Sequence, residues 1–210
     1  MNNKKFETQV SKEHYFKEYN SLQRFISYFY QIDSVIKTEP KTILEIGIGN
    51  KVVSNYLKQM GFQITTCDFD KNLQPDIVAD IRDLPFEDNS FDTIIACQIL
   101  EHIPFNDVKK ALSELKRVSR KNVIISISYN HYYIENIFRI ILPFFERQMH
   151  FTAKIPCFSK FVRDKQHYWE LGEKNCSKRK TRDLIKEYFK IRKEFQPILN
   201  SNRYFFILEK

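Results

Sequence analysis

Gly47 and Gly49, set one residue apart after the apolar run Ile43-Leu44-Glu45-Ile46, are the first residues whose types and spacing could do chemistry. A glycine pair between a buried strand and a helix lets backbone approach a ligand closely, with helix N–H groups pointing at it. A dinucleotide is one candidate for such a loop. Its fingerprint needs a third glycine three residues after the second, where helix and strand pack tightly, and Val52 stands there instead. Glu45, just ahead of the glycines, would repel a pyrophosphate and would favour a ligand with a cationic end. A second constellation is polar and aromatic. His167-Tyr168-Trp169-Glu170 puts the only tryptophan beside a histidine and a glutamate, in a stretch without clear periodicity. Such a loop can bind a ligand, or its tryptophan can pack the segment onto the domain; both readings stand.

These residues need a scaffold, and the hydrophobic pattern supplies one. Apolar residues at helical spacing from Phe16 to Ile36 predict one or two amphipathic helices, ended by Pro40. Thr42–Ile46 reads as a short buried strand, 51–60 as a helix stopped by Gly61, and Phe62–Cys67 as a second strand. A third short strand is expected over 76–81 and a fourth over Ser90–Ala96, apolar enough to lie inside a parallel sheet. A helix at Phe105–Ser119 leads to a fifth strand at Asn122–Ser128. Tyr132–Phe145 reads as an unusually aromatic helix and 154–176 as irregular. A helix over 180–188 precedes strands at 189–195 and 203–209, joined by a turn at 197–202. Strands alternating with helices predict an α/β fold: a Rossmann-like, seven-stranded, mostly parallel sheet with helices on both faces and an antiparallel C-terminal hairpin. One domain over 1–210 is expected: helices over 1–40, a core over 41–128, an acceptor-side insertion or lid over 129–178, and a closing helix and hairpin over 179–210.

With the elements in place, the motifs resemble a known family. Ile43-Leu44-Glu45-Ile46-Gly47-Ile48-Gly49 is similar to the first motif of class I S-adenosylmethionine (SAM)-dependent methyltransferases, in which an acid precedes a Gly-x-Gly turn. Leu84-Pro85-Phe86-Glu87-Asp88-Asn89-Ser90-Phe91-Asp92 resembles the signature that introduces the fourth strand, and Ile99-Leu100-Glu101-His102-Ile103 the segment that follows it. The likeness is closest to the small "type 11" group, which includes ubiquinone-type enzymes, and its motifs run in family order over 41–128. It implies SAM as methyl donor and S-adenosylhomocysteine as product, while a departure at Gln98 argues against a metal. It places Glu45, Gly47, Gly49, Asp68, Phe69, Asp80, Ile81 and Gln98 around the cofactor, with Asp68 on the ribose hydroxyls and Asp80-Ile81 beside the adenine. SAM carries a sulfonium and an ammonium, which agrees with the acid at Glu45. Two positions depart from the family pattern. Lys51 replaces a frequent third glycine, so a slightly wider turn is expected, with the ammonium in solvent. Gln98 stands where related proteins often carry an acid, which removes one ligand from a Glu101/His102 metal site.

The base that would serve a hydroxyl or amine acceptor is not fixed by the resemblance. By position it should come from the carboxyl ends of the fourth and fifth strands or from the segment after Tyr129. His102, His131 and His167 are the catalytic candidates, while His14 and His150 read as surface residues. The chain's 34 Lys and Arg against 26 Asp and Glu give a net charge of +8. Without a basic stripe or a nucleic-acid module, that charge reads as lysines scattered among acids, and nucleic acid is disfavoured as a partner. The expected acceptor is a small molecule, or a glycan- or lipid-linked intermediate, methylated on oxygen or nitrogen. Peripheral membrane contact through 132–154 is a further expectation. Cys67, Cys97, Cys157 and Cys176 show no metal or disulfide spacing and read as free thiols of a cytoplasmic protein. The alternative is an inactive SAM-binding or scaffold protein; an RNA methyltransferase ranks lower.

Overall fold

The computed structural model describes residues 12–17, 19–129, 131–155 and 166–210. Five helices and nine strands follow one another. α1 is Lys12–Lys17, α2 Leu22–Ile36, β1 Thr42–Ile46, α3 Val52–Gln59, β2 Gln63–Asp68, β3 Ile77–Val78 and β4 Phe91–Cys97. Next come α4 Val108–Val118, β5 Ser119–Ser128, β6 Tyr133–Leu142, β7 Phe145–Lys154, α5 Lys178–Lys186, β8 Lys190–Phe195 and β9 Arg203–Glu209. Seven strands form one sheet in the order β3-β2-β1-β4-β5-β9-β8. β1 to β5 are parallel, and β9 runs antiparallel to both β5 and β8. This is the Rossmann-like sheet that the alternation of elements predicts, closed by the expected C-terminal hairpin.

Alternation along each strand sends neighbouring side chains to opposite faces, and both faces are covered. Leu44, Ile94, Ile125 and Phe206 pack with Leu112 and Leu115 of α4 and Ile185 of α5. Ile43, Ile95, Ile124 and Phe205 pack with Val35 of α2 and Val53 and Leu57 of α3. All seven residues of β4 are buried. Each large aliphatic side chain so covered contributes about 1.5–3 kcal/mol relative to exposure.

The signature at 84–92 proves to be structural. Arg117 on α4 donates to the carbonyls of Leu84 (2.8 Å) and Phe86 (2.6 Å) and to Asp88 (3.0 Å). Glu114 accepts from the Leu84 N–H at 2.8 Å. Asp92 accepts from the Lys41 and Thr42 N–H groups at 3.0 and 3.1 Å and pairs with Arg120 at 2.7 Å. Burial works to raise the Asp92 carboxyl, but those partners outweigh it and hold it below the usual range. The motif is therefore a loop pinned to α4 and to the start of β1.

One element differs from its sequence reading. Tyr132–Phe145 is not helical; β6 and β7 pair antiparallel as a separate two-stranded ribbon. The apolar spacing in this stretch satisfies a helix and a strand equally. Pro143 decides against the helix, because its missing N–H and its ring break one. It sits in the turn between the strands, followed by Phe144 at φ +66°. The β-branched and aromatic content then suits paired strands. His150, expected at the surface, is partly buried in this ribbon and bonds Glu135 at 2.6 Å. His14 packs edge-on against Tyr15 and Tyr19. Among the cysteines, Cys67, Cys97 and Cys176 are buried; Cys157 lies outside the described residues.

Candidate active site

The strand order reverses direction at β1. From there β2 and β3 extend one way and β4 and β5 the other, which leaves a crevice beyond the carboxyl ends of β1 and β4. The glycine turn lines this crevice. Gly47 has φ +78°, and a Cβ there would lie 1.9 Å from Cδ1 of Ile99, so both conformation and space require glycine. Its N–H donates to the Cys67 carbonyl at 2.9 Å, tying the turn to β2. Lys51 takes the left-handed backbone (φ +62°) that a glycine would take, so the turn is not widened. Nor does its ammonium point into solvent; it donates to the Gln74 carbonyl at 2.7 Å and clips the loop after β2.

Glu45 lies beneath the turn, only 4% exposed, and its Oε2 has no hydrogen-bond partner. Burial pushes its carboxyl up to about 8 against the opposing hydrogen bond from Ser54; Asp68 adds to the rise. Asp68 ends β2 and organises the loop as well as facing the crevice. One carboxylate oxygen accepts from the Ile48 N–H at 2.9 Å and the other from the Asp70 N–H at 2.9 Å. Burial nonetheless raises its carboxyl. Asp80 is clamped by Arg82, whose Nε and Nη2 lie 2.8 and 2.5 Å from its two oxygens. Burial works to raise Asp80, but Arg82 outweighs it and holds the group ionised below the usual range. Phe69 and Ile81 line the crevice beside these acids.

Gln98 also lines the crevice, at φ +60°. Its amide is held by β5: Nε2 donates to Ser126 Oγ at 3.2 Å, and Oε1 accepts from Ser128 Oγ at 3.0 Å. Glu101 is fully buried and turned toward β5, accepting the Ser128 N–H at 3.0 Å, with Oε2 unpartnered. Among the described residues no group of three or more metal-ligating side chains forms.

The three histidine candidates separate. His102 lines the crevice. His167 stands edge-on to it, ring centroids 4.9 Å apart, and bonds Glu170 at 2.6 Å. His131 does not line the crevice; it stacks between Tyr129 and Tyr133 beside Gln196, and burial lowers its imidazole. Trp169, 2% exposed, donates from Nε1 to the carbonyls of Leu100 and Ile103 at 3.0 and 3.1 Å. The tryptophan is thus a packing residue that fixes the turn carrying His102.

Sequence reasoning missed the roof. Tyr15 from α1, Tyr19 from the connection after it, and Arg24 and Tyr28 from α2 cover the glycine turn, with the Arg24 guanidinium 3.8 Å over the Tyr19 ring. The Tyr15 ring would lie 3.5 Å from a Cβ at Gly49. Burial raises the Tyr15 hydroxyl. The signal was present as tyrosines and an arginine at near-helical spacing, but that pattern equally describes a helix packed on a core.

A crevice at the switch point, a glycine turn over an unpartnered acid, and acids closing the next two strands define a class I SAM-binding methyltransferase. Residues 44–127 match the family model described as a methyltransferase domain. That match runs from β1 to β5 and takes in the acids of the crevice, so this part of the chain is a methyltransferase domain. No curated protein matches the sequence. Among solved structures, a SAM-dependent methyltransferase from Clostridium acetobutylicum ATCC 824 is 12% identical, with 94% of this chain and 98% of that one covered at a TM-score of 0.61. The magnesium protoporphyrin IX methyltransferase of Synechocystis PCC 6803, crystallised with S-adenosylhomocysteine, is 13% identical over 97% and 89% at 0.61. The N-methyltransferase NodS of Bradyrhizobium japonicum WM9, in complex with the same product, is 8% identical over 91% and 89% at 0.57. At these identities the likeness concerns the fold.

Proposed function

We propose that this methyltransferase acts on an oxygen or nitrogen of a small-molecule, glycan- or lipid-linked acceptor that enters beside His102. The reading rests on the buried Glu45 carboxyl under the glycine turn, whose unpartnered Oε2 a cationic ligand end would satisfy. When bound, SAM supplies a methyl group already activated on a sulfonium and transferred by in-line displacement. Gly47 and Gly49 let the backbone approach it, and Asp68 and Phe69 hold the nucleoside end. Asp80, kept ionised by Arg82, would accept from the adenine amine, with Ile81 beside it. Gln98 supports the floor. The roof tyrosines exclude water and keep the ligand aligned.

On the acceptor side, His102 takes the proton from the hydroxyl or amine as the new bond forms. Glu170 orients His167, and His167 packs against the His102 ring and restricts it. His131, set apart from the crevice, has no part in this scheme. Related structures are described as acting on different acceptors, so the acceptor here is argued from the crevice alone.

Calorimetry with S-adenosylhomocysteine, followed by incubation of labelled SAM with a metabolite extract and with RNA, tests the reading. Binding of the product, with label entering a metabolite fraction, is the expected result. In His102→Asn the rate of transfer should fall by about two to four orders of magnitude while product affinity holds. Folded protein that binds neither ligand, or label that enters RNA alone, overturns it.

A further inference from the structure

No residue of the β6–β7 ribbon lines the crevice, and the two faces of the ribbon are chemically opposite. One face is polar and seated on the domain. Glu135 accepts from the Leu199 N–H at 2.8 Å and bonds His150, while Thr152 reaches Ser201. The other face carries Ile134, Phe138, Ile140 and Leu142 from β6 and, in register with them, Phe145 and Phe151 from β7, all exposed. Toward the end of the ribbon the distinction disappears. Ile140 to Phe145 contains no polar side chain, with Glu146 and Arg147 standing across from Ile141 and Ile140; Ile141 lies exposed on the face that carries Glu135, and Phe144 stands fully exposed at the turn.

We infer that the end of this ribbon inserts into the surface of an anionic lipid bilayer. A contiguous exposed apolar patch of this kind marks an interaction surface rather than a face that stays in water. A protein seated on the flat face would cover Phe138 and Ile140, yet would leave Ile141 and Phe144 in water. The turn from Leu142 to Phe145, apolar on every side, suits a medium that surrounds it. From the turn the apolar tip extends three residues along β6, about 10 Å at about 3.3 Å each, but only to Phe145 on β7, where Glu146 and Arg147 follow; interfacial elements bury to about 5–10 Å. Arg139, paired with Glu146, and Arg147 stand where the tip meets the body of the ribbon, at the level of lipid headgroups. The chain's net charge of +8 attracts an anionic surface. Among the described residues no helix is long and apolar enough to cross a membrane, so the contact is peripheral. The ribbon follows directly from β5, at the same edge of the sheet as the crevice. Insertion would hold that edge at the bilayer, where a lipid-linked acceptor resides; this last step rests on the methyltransferase reading, and the insertion itself does not.

Co-sedimentation of the full chain with vesicles of phosphatidylcholine, alone and mixed with phosphatidylglycerol, tests the proposal. The protein should pellet with the mixed vesicles and be released by salt. The double variant Ile141→Thr, Phe144→Asn keeps a β-branched strand residue and a residue that tolerates positive φ, and should bind at least about tenfold more weakly. Wild-type protein that stays in the supernatant overturns the proposal, as does a double variant that pellets like wild type. So does sedimentation velocity showing a dimer that the double variant abolishes without vesicle binding, which would assign the surface to a second copy. S-adenosylhomocysteine affinity, measured on the same samples, should be equal in both proteins. Its absence from both would count against the methyltransferase reading and leave the vesicle result readable.

Discussion

Glu45 offers the sharpest test of how the crevice recognises a cation. With its carboxyl pushed from 4.5 to about 8 by burial, ionising it in the empty crevice costs about 5 kcal/mol more than in water. At pH 7 the group is then mostly protonated. A ligand ammonium placed against it must drive that proton off, at about 1.4 kcal/mol, or tenfold in affinity, relative to pH above 8. Calorimetry with S-adenosylhomocysteine at pH 7, in buffers of different ionisation enthalpy, should therefore show release of nearly one proton per ligand from this site. Glu45→Gln should lack that release and bind more weakly, and the difference between the two proteins removes the ligand's own amine titration. The same substitution bears on stability. A folded-state pKa above the unfolded one stabilises fully at low pH, and the advantage is lost as pH rises through 4.5 to about 8. The ligand-free Glu45→Gln variant should thus gain in melting temperature relative to wild type as pH is raised from 6 to about 9. Equal proton release and parallel pH profiles in the two proteins would refute the reasoning.

Two further outcomes are expected. Gly47→Ala should abolish product binding and lower the melting temperature, because its Cβ meets Ile99 at 1.9 Å and its φ is +78°; adding Ile99→Ala should relieve the clash but not the backbone strain, a partial recovery that thermal melts can read. Trp169→Ala should destabilise by about 3–5 kcal/mol in denaturant titrations and slow methyl transfer more than it weakens cofactor binding, since it releases the Leu100–Ile103 turn that carries His102.

The core of the fold was legible in sequence because its signals are local. A five-residue apolar strand, a glycine pair and a helix stop at Gly61 each act over a few neighbouring residues, and β1 is found at the residues where the pattern put it. Glu45, Gly47, Gly49, Asp68, Phe69, Asp80, Ile81 and Gln98, the residues that the motifs assign to the cofactor, all line one crevice. Why Lys51 is tolerated was not legible. Its side-chain ammonium ties the turn to the Gln74 carbonyl 23 residues away, a contact that no local pattern announces.

What the sequence determined by itself, then, is the succession of strands and helices and the acids that follow the first three strands. Tertiary structure decided the rest. It made Tyr132–Lys154 a ribbon, because apolar spacing there fits two structures and only pairing across Pro143 selects one. It separated His131 from His102, because the three candidate histidines, alike in type, sit at positions whose distances depend on how strands far apart in sequence are ordered. It left Oε2 of Glu45 without a partner, because an orphan buried oxygen is a property of everything packed around it. The glycine turn could be found one residue at a time; the charge it waits for could be seen only once the sheet, the helices and the roof had closed over it.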